Sequence, residues 1–252
     1  MVRRHWDGCQ NIPMTIMQRF ARQWRWRSGM AGRLRMPFPG AAAIPASYAQ
    51  AWQDIFVLSM LGGLRRGRYL EVGGQQPRDN NNTYLLHKNF DWQGVTLEID
   101  RSLSPAWASL RPASRFVVGD ALKIDYAASM PVWFGEESLQ IDYLQLDIDP
   151  SLNTLSILKK LPLDRYRFST ITFETDAYTG DFAARDESRE ILRTKGYELV
   201  AADVAVLFRA VSKVPIPFED WWVDPRAVDH KRIEAMKSIS PMTDLPREIL
   251  FT

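Results

Sequence analysis

In Arg68-Tyr-Leu-Glu-Val-Gly-Gly-Gln-Gln-Pro77, a short apolar run ends in the paired glycines Gly73 and Gly74. This pattern is typical of a buried parallel strand that turns sharply at a ligand-binding edge. A glycine in such a turn adopts backbone angles closed to other residues and lets a ligand approach the main chain. The following Thr83-Tyr-Leu-Leu-His-Lys-Asn-Phe90 reads as a short helix. Strand, turn and helix together predict the first βα unit of a doubly wound nucleotide-binding fold.

The turn departs from the dinucleotide-binding fingerprint. A G-x-G-x-x-G pattern cannot be placed on it, so NAD binding has little support. Instead, an acid at the strand end is followed by an incomplete glycine series, with Glu71, Gly73, Gln75 and Pro77 at alternate positions. An acid-x-Gly-x-Gly pattern at this place is typical of methyltransferases that use S-adenosylmethionine (SAM). Any α/β protein with a Gly-Gly turn would also fit these residues.

The composition is that of an ordinary soluble globular protein. The chain has 252 residues, 46% hydrophobic and 25% charged, which suits one large domain or a domain with appendages. No apolar run has membrane-spanning length, and the first residues lack a signal-peptide core. The single cysteine, Cys9, excludes an internal disulfide and a cysteine-based zinc cluster. A reducing, cytoplasmic setting is therefore predicted.

Residues 1–46 read as a basic N-terminal extension and linker. Eight arginines and several tryptophans crowd the first forty residues, where Asp7 is the only acid. Arginine interleaved with tryptophan suits peripheral contact with an anionic membrane surface or an acidic glycan, and no specific nucleic acid is predicted. The alternative is an extension that covers the domain or aids solubility. Residues 12–27 predict a helix without a clean apolar stripe.

From residue 47 the pattern predicts a doubly wound, mostly parallel seven-stranded sheet with an antiparallel edge hairpin. A helix is predicted over 48–61, and the edge hairpin over 197–204 and 206–211. Acids recur where successive parallel strands end, and such ends meet at one edge of a sheet. These acids are Glu98 and Asp100 after the second strand, Asp120 after the third, Asp147 and Asp149 after the fourth, and Glu174 and Asp176 after the fifth.

Asp149 has two interpretations. It precedes Pro150 and a helical pattern, which is typical of an acidic N-cap with proline at the first helical position. It equally fits a binding or catalytic site at the sheet edge. Asp147 has no such structural reason, because it ends a buried strand.

Several stretches resemble the FkbM-like family of class I SAM-dependent methyltransferases over roughly residues 47–229. The matching stretches are Gln53–Leu58, Tyr69–Gly73 with Pro77, Asn82–Leu86, Trp92–Gly94 leading to Glu98, Asp142–Asp149 and Ile171–Glu174. The resemblance implies a Rossmann-like methyltransferase domain over residues 47–252, including a C-terminal tail. It also implies SAM as cofactor and methyl transfer to a hydroxyl, often that of a sugar or glycan.

Functional residues follow from this resemblance. Glu71, Gly73 and Gly74 would hold the methionine end of the cofactor. The whole implied cofactor-binding set is Gln53, Asp54, Glu71, Gly73, Gly74, Asn82, Thr83, Glu98 for the ribose, and Asp120 with Ala121 for the adenine. Two departures stand out: Gln75 replaces a glycine, and Thr175 replaces a histidine that relatives carry.

Methyl transfer to a sugar hydroxyl needs a base or a bound cation, because a neutral hydroxyl is a poor nucleophile. The predicted catalytic residues are Asp147, Asp149, Glu174 and Asp176. Hard oxygen ligands suit Mg²⁺ or another divalent cation, with Asp147, Asp149 and Glu174 as the predicted ligands. Two alternatives stay open: a metal-dependent glycosyltransferase that uses Asp147-Ile-Asp149 as its D-x-D motif, and a catalytically degenerate binding module. The acceptor and the oligomeric state do not follow from these residues.

Overall fold

The computed structural model describes residues 24–25, 31–137, 139–206, 215–237 and 246–252. The strands are β1 Trp24–Arg25, β2 Ala46–Ser47, β3 Arg68–Val72, β4 Gln93–Glu98, β5 Arg115–Val118, β6 Gln140–Leu146, β7 Arg167–Glu174, β8 Glu198–Val206 and β9 Ile216–Val223. The helices are α1 Gln53–Met60, α2 Tyr84–Phe90, α3 Ser104–Leu110, α4 Tyr126–Phe134, α5 Ser151–Lys160, α6 Ala183–Thr194, α7 His230–Lys237 and α8 Pro246–Leu250. No helix in the described ranges is both long and apolar enough to cross a membrane.

Seven strands form one sheet in the order β5-β4-β3-β6-β7-β9-β8. The five strands from β5 to β7 in this order are parallel, and β9 runs antiparallel between β7 and β8. The predicted fold class, a mostly parallel seven-stranded sheet with an antiparallel edge, is confirmed. The order of strands reverses between β3 and β6, and ligands of such sheets bind in the crevice outside the carboxyl ends at that point.

Helices cover both faces of the sheet. Successive residues of a strand point to opposite faces. Tyr69 of β3 and Tyr143 of β6 pack in the layer that contains α1, α2 and α7. Their neighbours Leu70 and Leu144 pack in the layer that contains α4, α5 and α6. Burial on both faces explains why these strands are nearly continuous apolar runs in the sequence.

The edge hairpin differs from its prediction. The predicted second strand over 206–211 is wrong at Val206, which ends β8, and residues 207–214 lie outside the described residues. The antiparallel partner of β8 is β9, which contains Pro217. The register between the two strands shifts near the pairing of Ala205 with Pro217. Such an irregularity accommodates a proline, which cannot donate to the ladder.

The helix predicted over 48–61 begins later, at Gln53. Trp52 precedes it with a left-handed φ of 65°, so the chain turns before the helix starts. Every residue of α1 is buried, which explains the weak amphipathic pattern of this stretch.

Residues 31–46 of the predicted extension pack against the domain. Leu34, Met36 and Phe38 are buried in the same layer as α1, and Leu34 forms a bridge with Phe251 near the C-terminus. The helix predicted over 12–27 does not include Trp24–Arg25, which form a strand paired with β2. Residues 1–23 and 26–30 lie outside the described residues. The division of the chain after residue 46 stays a prediction.

Candidate active site

A cavity of about 450 Å³ lies at the carboxyl ends of β3, β4, β5 and β6. Its walls come from the turns that follow these strands. The acids among its lining residues are Glu98, Asp100, Asp120, Asp147 and Asp149. None of the described residues that line it is a lysine, arginine or histidine. The cavity therefore has an acidic wall without a cationic side chain.

The glycine turn after β3 is held against the neighbouring strands. Gly73 has a φ of +85°, and a β carbon there would lie 1.7 Å from the carbonyl oxygen of Asp147. A β carbon on Gly74 would lie 2.1 Å from Cγ2 of Thr96. The first glycine is thus required by backbone conformation and by packing, the second by packing. Gln75 follows with a left-handed φ of 42° at the position where a glycine was expected.

Glu71 is buried beside this turn and stabilises it through side-chain hydrogen bonds. Its carboxylate accepts hydrogen bonds from Thr96 Oγ1 at 2.8 Å and from Thr83 Oγ1 at 3.1 Å. Asn81 Nδ2 lies 3.2 Å from the same carboxylate. Burial raises the pKa of Glu71, and the charge of the nearby Arg111 guanidinium opposes that rise. Glu71 therefore ties its strand to β4 and to the residues that open α2.

A small lobe of about 20 Å³ adjoins the cavity at the glycine turn. Gly73, Gln75 and Asp147 line both spaces. Asn82 and Gln145 line the small lobe, and Oδ1 of Asn82 and Oε1 of Gln145 are buried without a hydrogen-bond partner in the described part of the chain. A buried acceptor without a donor costs free energy. The lobe therefore suits a ligand that donates hydrogen bonds.

Four predicted cofactor-binding residues, Gly73, Glu98, Asp120 and Ala121, line the larger cavity. The carboxylate of Glu98 also binds the main chain: Oε2 accepts from the Gln75 amide at 2.8 Å and Oε1 from the Asp100 amide at 2.9 Å. Glu98 therefore holds the unusual backbone of Gln75 in place, in addition to any contact with a ligand.

Gln53 and Asp54 are buried at the N-terminus of α1 and line neither space. Asp54 accepts hydrogen bonds from Ser47 Oγ at 2.6 Å and from the Tyr48 amide at 2.9 Å. Gln53 Nε2 donates to Glu219 at 3.1 Å. Burial raises the pKa of Asp54 to about 6. The structure connects both residues to the protein itself, and a contact with a cofactor stays a prediction.

The four acids predicted as catalytic lie at the ends of the neighbouring parallel strands β6 and β7. One carboxylate oxygen from each of Asp149, Glu174 and Asp176 lies within 4.8 Å of the other two. This group contains Asp176, whereas the predicted metal ligands included Asp147. Asp147 lies beside Glu174 and lines the cavity. The expected convergence of carboxylates from separate strands is present.

Asp176, rather than Asp149, binds the N-terminus of α5. Its Oδ2 accepts from the Ser151 amide at 2.8 Å. Pro150 occupies the N-cap position instead of the first helical position, and the N-cap residue makes no side-chain hydrogen bond to the helix. The helix-cap interpretation of Asp149 is therefore wrong, because Asp176, which follows another strand, accepts the hydrogen bond from the N-terminus of α5. The second oxygen of Asp176, Oδ1, is buried without a partner among the described residues.

Burial, together with neighbouring carboxylates, raises the pKa of Asp147, Asp149 and Glu174. Burial raises the pKa of Glu174 well above its ordinary value, and the charge of Asp147 adds to the rise. Burial also raises the pKa of Asp147 itself. For Asp149, burial followed by the charge of Asp147 raises the pKa to about 6. A carboxylate with a pKa near the working pH is suited to accept a proton from an acceptor hydroxyl.

Two buried residues beside the glycine turn, Arg111 and Gln145, were not predicted as site residues. Gln145 did give a signal, because it is a polar side chain within an apolar strand. Arg111 gave none, since an arginine in a loop is normally exposed. In the structure its side chain is 1% exposed.

No family model matches this sequence, and no curated protein matches it. The FkbM-like resemblance therefore stays a prediction. Solved structures do match, and they include SAM-dependent methyltransferases.

Three of these structures illustrate the range. An O-methyltransferase from Bacillus cereus in complex with SAH is 18% identical with a TM-score of 0.48, over 73% of this chain and 86% of that one. A TehB-like SAM-dependent methyltransferase from Corynebacterium glutamicum is 17% identical with a TM-score of 0.41, over 73% and 92%. Fibrillarin from Aeropyrum pernix with natively bound SAM is 11% identical with a TM-score of 0.41, over 64% and 67%. Identities this low assign no role to an individual residue.

Proposed function

We propose that this chain is a SAM-dependent O-methyltransferase of the FkbM-like kind that methylates a hydroxyl of a sugar or glycan. The observation that carries the proposal is the charge of the crevice. SAM presents a positive sulfonium and a positive ammonium, and the described lining residues of the cavity include acids but no lysine, arginine or histidine. A nucleotide diphosphate would instead call for cationic partners around its phosphates.

The small lobe is suited to bind the amino-acid end of SAM. An ammonium donates hydrogen bonds, and the lobe offers the unpartnered oxygens of Asn82 and Gln145. Glu71 lines the same lobe and adds negative charge. The adenosine would then extend through the larger cavity, past Glu98 to Asp120. This arrangement uses the turn after β3 and the acid after β4 as nucleotide-binding sheets of this type do.

In the proposed reaction, the acceptor oxygen forms a bond to the methyl carbon while the carbon–sulfur bond breaks and its electron pair stays on sulfur. The hydroxyl proton passes to a carboxylate, because the neutral hydroxyl is a weak nucleophile. We assign this role to the hydrogen-bonded pair of Asp147 and Glu174, of which Asp147 lines the cavity, with Asp149 and Asp176 beside it. Thr175 replaces the histidine of FkbM-like relatives, so the proposed base is a carboxylate. The protein otherwise contributes alignment of methyl and hydroxyl.

The same acids fit a hard divalent cation such as Mg²⁺. Asp149, Glu174 and Asp176 are close enough to share one ion, and Asp176 Oδ1 is buried without a partner in the described ranges. Carboxylate oxygens are ligands that Mg²⁺ prefers. A bound cation would lower the pKa of an acceptor hydroxyl. Titration with Mn²⁺, followed by its electron paramagnetic resonance signal, should detect a site that Asp176→Asn weakens.

Two other functions remain to be separated from this one. The glycosyltransferase alternative rests on Asp147-Ile-Asp149, and the degenerate module rests on Gln75 and Thr175. Calorimetry with S-adenosylhomocysteine (SAH) and with UDP-glucose plus Mg²⁺ distinguishes all three. Binding of SAH alone supports the methyltransferase, and binding of UDP-glucose alone supports the glycosyltransferase. Binding of neither at millimolar concentration supports the non-catalytic module.

A further inference from the structure

Arg111 is buried beside the glycine turn, directly after α3. Its side chain is 1% exposed, although arginine is rarely buried without a partner. Within the described residues, no ion pair shorter than 4 Å joins it to a carboxylate. A buried cation of this kind is costly unless neighbouring groups stabilise it. The contacts of Arg111 therefore indicate which part of the chain it stabilises.

The guanidinium connects the segment 77–83 to the sheet. Its Nη1 donates to the Pro77 carbonyl oxygen at 3.1 Å and to Asn81 Oδ1 at 3.1 Å. Its Nη2 donates to Tyr69 Oη at 2.6 Å and to Thr83 Oγ1 at 2.9 Å. Arginine is suited to this task because its planar fork donates several hydrogen bonds in fixed directions. The segment it holds carries Asn82 of the small lobe.

Three aromatic rings complete the surroundings. The guanidinium carbon lies 5.0 Å from the ring centre of Trp107, 5.6 Å from that of Tyr69 and 5.9 Å from that of Tyr84. Aromatic faces attract a cation, most strongly where water is excluded. They stabilise the buried charge without neutralising it.

A single hydroxyl group, that of Thr83, connects the Arg111 guanidinium to the Glu71 carboxylate. Thr83 Oγ1 accepts from Arg111 and lies 3.1 Å from Glu71 Oε1, to which it can donate. Asn81 lies between the same two residues, since its oxygen accepts from Arg111 and its amide nitrogen lies 3.2 Å from Glu71. Arg111 and Glu71 are thus the two ends of one buried hydrogen-bond network next to the small lobe.

We propose that Arg111 is a positioning residue for the amino-acid end of the cofactor: it fixes the segment 77–83 and supplies the counter-charge for Glu71. This proposal rests on the proposed function, because it takes the small lobe as the ammonium site. Arg111 does not line either cavity, so it acts through Asn81 and Thr83 rather than by touching the ligand.

The test compares two ligands that differ only at the amino-acid end. SAH carries the ammonium and carboxylate, whereas 5′-methylthioadenosine lacks both. Arg111→Met should raise the calorimetric dissociation constant for SAH by about tenfold or more, as expected when a hydrogen-bonded charge is lost. The dissociation constant for 5′-methylthioadenosine should change by less than about threefold. Arg111→Lys should recover part of the SAH affinity.

Arg167→Met is the matched control. Arg167 is a partly buried arginine that pairs with Asp224 at 2.8 Å and lies over the Tyr197 ring, but it lies at the amino end of β7. It should lower the melting temperature and leave both affinities unchanged. Thr83→Val, which removes the hydroxyl between Arg111 and Glu71, provides a second variant should Arg111→Met not fold, and it should reproduce the selective loss.

The outcomes separate the two proposals. Equal weakening of both ligands, or unchanged SAH affinity in the Arg111 and Thr83 variants, overturns the positioning role alone. A wild-type protein that binds neither ligand overturns the proposed function, and the positioning role with it.

Discussion

The main chain of Gly73 and that of Asp147 are in such close contact that a β carbon at residue 73 would lie 1.7 Å from the Asp147 carbonyl oxygen. The amide of Asp147 also donates to the Val72 carbonyl at 3.1 Å. The turn after β3 and the end of β6 are thus one packed unit. Because both spaces of the candidate site lie along this contact, its integrity should control binding.

Gly73→Ala should therefore disrupt the site for a steric reason. Gly180 provides a matched control: its φ is +84°, close to the +85° of Gly73, but no atom lies within 4 Å of its would-be β carbon. Gly180→Ala should cost about 1–2 kcal/mol, the usual strain of an L-residue in this conformation. Gly73→Ala should cost at least about 3 kcal/mol, because overpacking adds to that strain. If both substitutions lowered the free energy of unfolding in urea by the same amount, the contact between Gly73 and Asp147 would not be tight.

Asp147→Asn and Glu174→Gln should each lower methyl transfer about 100-fold or more at saturating SAM, because a positioned base contributes that much. The affinity for SAH should change little in the Glu174 variant, since Glu174 does not line the cavity. Asp164→Asn is the control, as Asp164 is an exposed acid that pairs with Lys195 near the amino end of β7. If both variants retained normal turnover, the assignment of the base would be wrong.

Glu98→Ala should weaken SAH binding by loosening the turn as well as by removing a ribose contact. The carboxylate accepts from the Gln75 and Asp100 amides, and loss of hydrogen bonds to a charged group costs about 1.5–3 kcal/mol. A rise of about tenfold or more in the dissociation constant is expected from calorimetry. Asp125→Asn should have no effect, because asparagine preserves the cap of α4. Unchanged affinity in the Glu98 variant would remove this residue from the site.

The buried Glu219 should make the protein less stable as the pH rises. Burial raises its pKa from 4.5 to about 8, so the folded state holds a proton that the unfolded state releases. The stabilisation is complete below pH 4.5 and is lost as the pH rises towards 8, on the order of 5 kcal/mol in total. Glu219→Gln should show a smaller fall in unfolding free energy between pH 5 and pH 8.5. If the unfolding free energies of the wild type and of Glu219→Gln fell by the same amount over this pH range, Glu219 would not be the residue that holds the proton.

The sheet was predictable because its central strands are buried on both faces and read as apolar runs. β3 ends directly before Gly73, β6 ends directly before Asp147 and β7 ends at Glu174, in agreement with the predicted strand ends. The edge was harder to predict, because β9 lies between β7 and β8 in the sheet and contains Pro217. A proline normally indicates a loop, and only the shifted register explains its presence in a strand.

The acids of the candidate site were predictable for a similar reason, since the carboxyl ends of parallel strands meet at one edge. Their partners were not. The amide of Ser151 is bound by Asp176, 25 residues further along the chain, whereas local sequence pointed to Asp149. The buried position of Arg111 also depends on how the turn packs on the sheet, which no local pattern records.

The central claim is that one crevice at the carboxyl edge of the sheet holds SAM, with its amino-acid end in the small lobe. A crystal structure of the full chain with SAH tests this most directly. We expect the ammonium near Asn82, Gln145 and Glu71, the ribose at Glu98 and the adenine beside Asp120 and Ala121. SAH bound elsewhere, or in the crevice with its amino-acid end away from the small lobe, would contradict it.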